Sequence, residues 1–393
     1  MREVYLDNYA AHPLPDEVRE AMMPYLREFF GNPSSLHRWG DKAREAVEEA
    51  REKVASLING DAEGVIFTSC GTEANNLAIK GIFQGQRKRG NHLVVSQVEH
   101  FSVLNPVRTL EKQGAEVTLV PVDGQGRVDL DALERSLRDN TVLVSIMAAN
   151  GEVGTIQPLK EVASLVKGRG ILLHSDAVAA ASAVPLDVEE LGLDAVTLSS
   201  DLLYGPKGAG ALWVRKGVRL IPQLEGGVQE GGRRGGTENV PAIVGMGKAA
   251  ELAKERMQER NAHLAGLRNK LVAGITGKVD HVELTGHPTE RLPWNASFVV
   301  EFVEGEAMLL LLNHHGVAVS SGSACTSRAL KSSHVLNAMK VPPEKAQGSI
   351  LFSLGLHNTP QDVDYVIEVF PSIVERLRSM SPLYDKFLKE GGR

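Results

Sequence analysis

Apolar residues fall into two rhythms along this chain. Ala43, Val47, Ala50, Val54 and Leu57 keep helical spacing, which predicts an amphipathic helix over 41–58. Short unbroken apolar runs at 65–68, 92–96, 116–120, 142–147 and 171–174 read as strands, with helices between them. The run Val142-Leu143-Val144-Ser145-Ile146 lacks polar alternation, as a parallel strand covered on both faces does. Strands alternating with helices predict a doubly wound parallel α/β sheet. The character changes after about residue 255. There 249–275 reads as a long charged helix, 297–302 and 318–320 as short strands, and 306–314 and 361–380 as helices. The division expected is a large α/β domain over 15–255 and a smaller α/β domain built from 1–14 and 256–393.

Composition sharpens this picture. At 393 residues the chain exceeds one ordinary core, in keeping with two domains. A net charge of −6 argues against general nucleic-acid binding. Only two cysteines are present, Cys70 and Cys325, which excludes a disulfide-framed secreted fold. No apolar run approaches the roughly 20 residues of a membrane helix. Residues 1–7 are too charged for a signal peptide, so a cytoplasmic location is expected.

Candidate chemistry gathers at strand ends. The stretch 196–204 is an apolar strand running into the turn Ser199-Ser200-Asp201-Leu202, followed by the loop Gly205-Pro206-Lys207-Gly208. Open α/β sheets present their reactive groups at such carboxyl ends. A second strand, at 65–68, meets the turn Ser69-Cys70-Gly71-Thr72 and a helix from about Glu73, a geometry that offers backbone N–H groups to an anion. Leu202, at the centre of the first turn, can neither form an imine nor hold a charge.

Longer motifs run through nearly the whole chain. They include Tyr5-Leu6-Asp7, Phe30-Gly31-Asn32-Pro33-Ser34-Ser35, Thr72-Glu73-Ala74-Asn75-Asn76, Glu99-His100 and Asn150-Gly151-Glu152-Val153-Gly154. His174-Ser175-Asp176-Ala177, Tyr204-Gly205-Pro206-Lys207-Gly208, Gly236-Thr237-Glu238-Asn239 and the loop from Ser320 to Thr326 continue the series. Together they resemble the cysteine desulfurases of iron–sulfur cluster assembly, in the class V aminotransferase group. The resemblance implies a PLP-dependent transferase-like fold of the aspartate aminotransferase type. Its large domain surrounds a mixed, mostly parallel seven-stranded sheet, its small α/β domain is C-terminal, and its homodimer has sites near the subunit interface. It also implies a chemistry: pyridoxal phosphate on a lysine, L-cysteine as substrate, and sulfur passed to a catalytic cysteine as persulfide.

Carried over position by position, the resemblance makes Cys325 the catalytic cysteine and His100 the residue stacked on the pyridine ring. Asp176 becomes the partner of the pyridinium nitrogen. Thr72, Ser199 and Thr237 become phosphate contacts, the last from the partner subunit. The departures are as informative. Leu202 stands at the lysine position, Asp201 at the phosphate-binding histidine, Ala179 at a glutamine that contacts the pyridine hydroxyl, and Leu351 at the arginine that clamps the substrate carboxylate. Leu356 stands where the family often has another arginine, and Lys207 survives five residues beyond the lost lysine. The function expected is therefore a desulfurase-like protein of iron–sulfur assembly that has lost L-cysteine desulfurase activity. Pyridoxal phosphate, the family's cofactor, is expected not to be held. Cys325 would carry sulfur or ligate an iron–sulfur cluster shared with a scaffold protein. The alternative is an active pyridoxal phosphate enzyme with an altered mode of holding the cofactor.

Blander readings stand beside these. His100 and Asp176 could simply satisfy local hydrogen bonds. Cys70 is either a small apolar residue in a tight turn or a second thiol that, with His100 and Asp201, would hold iron. Residues 376–384 resemble the scaffold-docking region of the cluster-assembly branch, and equally suit an amphipathic closing helix.

Overall fold

The computed structural model describes residues 2–321 and 333–391. Among them the chain lays down β1 (Val4–Tyr5), β2 (Val65–Thr68), β3 (His92–Ser96), β4 (Glu116–Val120), β5 (Thr141–Ser145) and β6 (Leu172–Asp176). β7 (Ala195–Ser199), β8 (Gly210–Val214), β9 (Val282–Leu284), β10 (Asn295–Val300), β11 (Val317–Ala318) and β12 (Ser349–Ser353) follow. Seven strands form a central sheet in the order β2-β8-β7-β6-β5-β3-β4. β3 to β7 pair in parallel, whereas β8 is antiparallel to both β2 and β7. Six strands thus share one direction and one opposes them. The sheet is mixed and mostly parallel, and the purely parallel sheet suggested by the apolar rhythm is corrected by β8.

Every position of β2, β3, β5, β7 and β8 is buried. That burial accounts for the missing polar alternation, since helices cover both faces. The edge strand β4 is instead exposed or half-buried at every position but Val120. The helix Arg38–Leu57 buries Ala43, Val47, Ala50, Val54 and Leu57, as its spacing predicted. It packs along a second helix, Val240–Thr276, which is 37 residues long. A Cβ on Gly247 would lie 2.7 Å from the Ala50 Cβ, so glycine sets how closely these helices approach.

The long helix starts at Val240, well before the expected 249, because Asn239 caps it by accepting from the Ala242 N–H. Its far end packs on β9, β10 and the helix Pro360–Arg378. β12, β10 and β9 form an antiparallel three-stranded sheet. There Phe352 stands edge-on to Phe298 and Phe370, with centroids 6.1 and 5.7 Å away. β1 pairs in parallel with β11, and Asp7 bridges to Ser353, so the first residues lie against C-terminal elements. No helix among the described residues is long and apolar enough to cross a membrane.

Candidate functional site

β7 delivers the first wall of the site. After Ser199 the chain makes a tight turn over Asp201–Leu203, closed by Tyr204 in the left-handed conformation at φ 68°. Gly205 follows, and a Cβ there would lie 2.3 Å from Ser200 Oγ. The turn leaves Leu202 buried and Asp201 half-buried. The Asp201 carboxylate accepts from Ser199 Oγ at 2.5 Å and from the Leu202 N–H at 3.1 Å. His12 Nδ1 donates to the Asp201 carbonyl at 3.0 Å, and its ring lies 3.9 Å from that of Tyr204. Burial pulls the His12 imidazole down to about 4, so it is neutral at ordinary pH.

Leu202 and Asp201 face a chamber of about 410 Å³. Leu351, only 1% exposed on β12, forms part of the opposite wall. Its backbone pairs with Ser320, the Leu351 N–H donating to the Ser320 carbonyl at 2.7 Å. Ser320 and Ser321 therefore also line the chamber. Cys325, four residues on, lies outside the described residues.

A polar chain runs from the chamber into the sheet. His100 lines the chamber, and its Nδ1 is 2.7 Å from Ser102 Oγ. Asn75 Nδ2 donates to Ser102 Oγ at 2.8 Å and to Asp176 Oδ2 at 2.7 Å, while the Val178 N–H reaches Asp176 Oδ1 at 3.0 Å. Burial pushes the Asp176 carboxyl up, against these hydrogen bonds and the His100 charge. The local satisfaction expected of His100 and Asp176 is thus present, within one connected network.

The other residues singled out in the sequence are more dispersed. Thr72 and Thr237 are exposed. Two ion pairs pin the segment before Thr237, one to the helix that carries Thr72 and one to the helix Arg38–Leu57. Arg234 forks Glu73 at 2.7 and 3.2 Å, and buried Arg51 forks Glu230 at 2.7 and 3.0 Å. Ala179 is buried, Lys207 is exposed, and Leu356 is half-buried beside Tyr204 and Arg260. Cys70 is exposed and does not line the chamber. Among the described residues no three His, Cys, Asp or Glu side chains come together as a metal site, so Cys70, His100 and Asp201 do not form one.

Among the chamber residues that sequence reasoning did not single out, two are buried acids. Glu99 is fully buried, accepts from the Met147 N–H at 2.7 Å through Oε1, and is pushed well above the carboxylate range by burial. Glu152 is 9% exposed and is pushed up to about 8 by burial, against a hydrogen bond to Ser333. Their only signal was membership in the motifs Glu99-His100 and Asn150–Gly154, which says nothing of burial.

A fold of this kind is shared with known proteins. The sequence pattern of the family described as aminotransferase class-V matches residues 4–366, so the chain belongs to that family. Among its relatives, the cysteine desulfurase IscS 1 of Archaeoglobus fulgidus is 49% identical over 380 residues, covering 97% of this chain and 99% of the relative. The cysteine desulfurase IscS of Methanosarcina thermophila is 49% identical over 385 residues, covering 98% and 95%. A solved NifS-like protein superposes with a TM-score of 0.90 at 38% identity, covering 96% of this chain and all of that one.

Proposed function

We propose that this chain is a cysteine desulfurase-like protein of iron–sulfur cluster assembly that does not consume L-cysteine. In this reading it acts with a scaffold protein through Cys325, as sulfur carrier or cluster ligand. Its relatives' names support the assembly role. The observation that carries the rest is the turn after β7.

Pyridoxal phosphate, the family's coenzyme, supplies an electron sink once an amine is attached to it, and its anchor is a lysine amine. Leu202 offers an alkyl chain instead. Ser199 gives its hydroxyl proton to Asp201, so toward a phosphate it turns a lone pair beside a carboxylate. Leu351 offers an alkyl chain where a substrate carboxylate needs a guanidinium fork. These residues do not fit the coenzyme as the family holds it.

The intact network from His100 through Ser102 and Asn75 to Asp176 favours a second reading, an enzyme that holds the coenzyme at its ring end without an imine. Incubation with pyridoxal phosphate followed by desalting separates the two. The first reading expects no coenzyme absorbance and sulfide release from cysteine at background. Retained coenzyme with turnover of cysteine would establish the second. Anaerobic co-purification with a scaffold protein, with iron and sulfide quantified, tests Cys325. Cys325→Ala should lose them, and unchanged amounts would remove Cys325 from the proposal. The reading includes a cytoplasmic homodimer, with the large domain over 15–255 and the small one from 1–14 and 256–393.

A further inference from the structure

The chamber beside Leu202 is an acidic one. Among the described residues its wall carries the carboxyl groups of Asp7, Glu99, Glu152 and Asp201 and no lysine or arginine. Glu99 is 0% and Glu152 9% exposed, yet Glu99 Oε2 and Glu152 Oε1 have no hydrogen-bond partner, and Asp7 Oδ1 is a third such atom. Buried acceptors are normally satisfied, so unsatisfied ones lining a cavity mark where a donor belongs. The rest of the wall is largely apolar, with Leu202, Leu351, Val98, Val178, Met147 and Val335. The carboxyls do not converge as a metal site. A volume of about 410 Å³ falls within the range of small-molecule pockets.

We propose that this chamber binds a small organic ammonium, a primary amine on a short apolar body, with its N–H groups on Glu152 and Glu99. An ammonium brings three donors and a positive charge to the unsatisfied oxygens, and its hydrocarbon covers Leu202 and Leu351. Burial raises both glutamates, Glu152 to about 8, and an adjacent ammonium draws them back toward the carboxylate form. An anion of the same size meets no lysine or arginine in the described wall, only the imidazoles of His100 and His334 and neutral hydroxyl and amide groups. The inference rests on the reading that the coenzyme is not held here, because the two would share this space.

The test titrates the full chain with n-butylammonium, butanol and butanoate by calorimetry, and separately with ferrous iron under anaerobic conditions. Butylammonium should bind, butanol about tenfold or more weaker, and butanoate not at all. Glu152→Gln should weaken butylammonium about tenfold. Leu351→Arg, which places a cation in the wall, should abolish its binding, with circular dichroism confirming the fold of both variants. Butanoate binding as well as butylammonium, or butylammonium binding that neither substitution changes, overturns the proposal. So does tight ferrous iron binding without butylammonium binding, which would give the carboxyls to a metal. Coenzyme absorbance after incubation with pyridoxal phosphate defeats the earlier reading. Failure of butylammonium to bind in protein without that absorbance defeats this inference alone.

Discussion

Replacing Asp201 by histidine in a protein that already carries Leu202→Lys isolates the electrostatic part of the site. Ser199 Oγ lies 2.5 Å from Asp201 Oδ1. A phosphate oxygen that took the hydroxyl proton in place of Asp201 would stand about 2.7 Å from Oγ. Tetrahedral geometry at the hydroxyl then places it about 4 Å from the carboxylate, where one charge pair repels by about 4 kcal/mol at an effective dielectric of about 20. That is about three decades of affinity. Asp201→His in the Leu202→Lys background should therefore tighten pyridoxal phosphate about a thousandfold relative to Leu202→Lys alone, before any contact from the new imidazole is counted. The assay is a coenzyme titration of the two proteins by absorbance, with thermal unfolding as the control for folding. The difference should survive added salt, because the pair is partly shielded from solvent. Equal affinity in the two proteins would refute the repulsion argument and leave the lost amine as the sole obstacle.

Two further predictions follow from buried charge. Glu230 is 7% exposed and holds the Arg51 fork and the Phe67 N–H at 2.9 Å. Arg51→Ala strands that carboxylate and should cost about 3–5 kcal/mol in denaturant unfolding; a loss below about 1 kcal/mol would mean Glu230 reaches water at little cost. Glu152 keeps its proton up to about 8 when folded, against an ordinary carboxyl's 4.5. The folded state therefore binds more protons across that window, and stability falls as pH rises through it. Glu152→Gln should remove this slope, so the variant gains on the wild type from about pH 4.5 to about pH 8 and holds its advantage above. Parallel melting curves across that range would show that Glu152 is solvated.

Much of the parallel half of the fold was legible because strands covered on both faces must be apolar, and β3 stands where its run predicted. The run at 142–147 overshot β5 because Ile146 and Met147 stay buried after the ladder ends, Met147 turning to the chamber. β8 follows directly on a glycine loop, and nothing local in Gly210–Val214 announces an antiparallel direction. The start of the long helix holds Gly245 and Gly247, residues of poor helix propensity. A Cβ at Gly245 would lie 2.7 Å from Met22 Sδ, so tertiary packing overrides their poor helix propensity.

The site divides along the same line. Leu202 and Leu351 declare themselves by residue type within a motif, since an alkyl chain cannot replace an amine or a guanidinium wherever it points. Whether a glutamate is a solvated surface group or a buried acid depends on partners far along the chain. His334 Nε2 lies 3.0 Å from the Glu99 carbonyl, and Ser333 bonds the Glu152 side chain. Counting charges in the motifs around residues 100 and 150 would therefore miss the character of the chamber. That character comes from Glu99 and Glu152, buried without a facing cation among the described residues, as much as from the lysine and arginine that are absent.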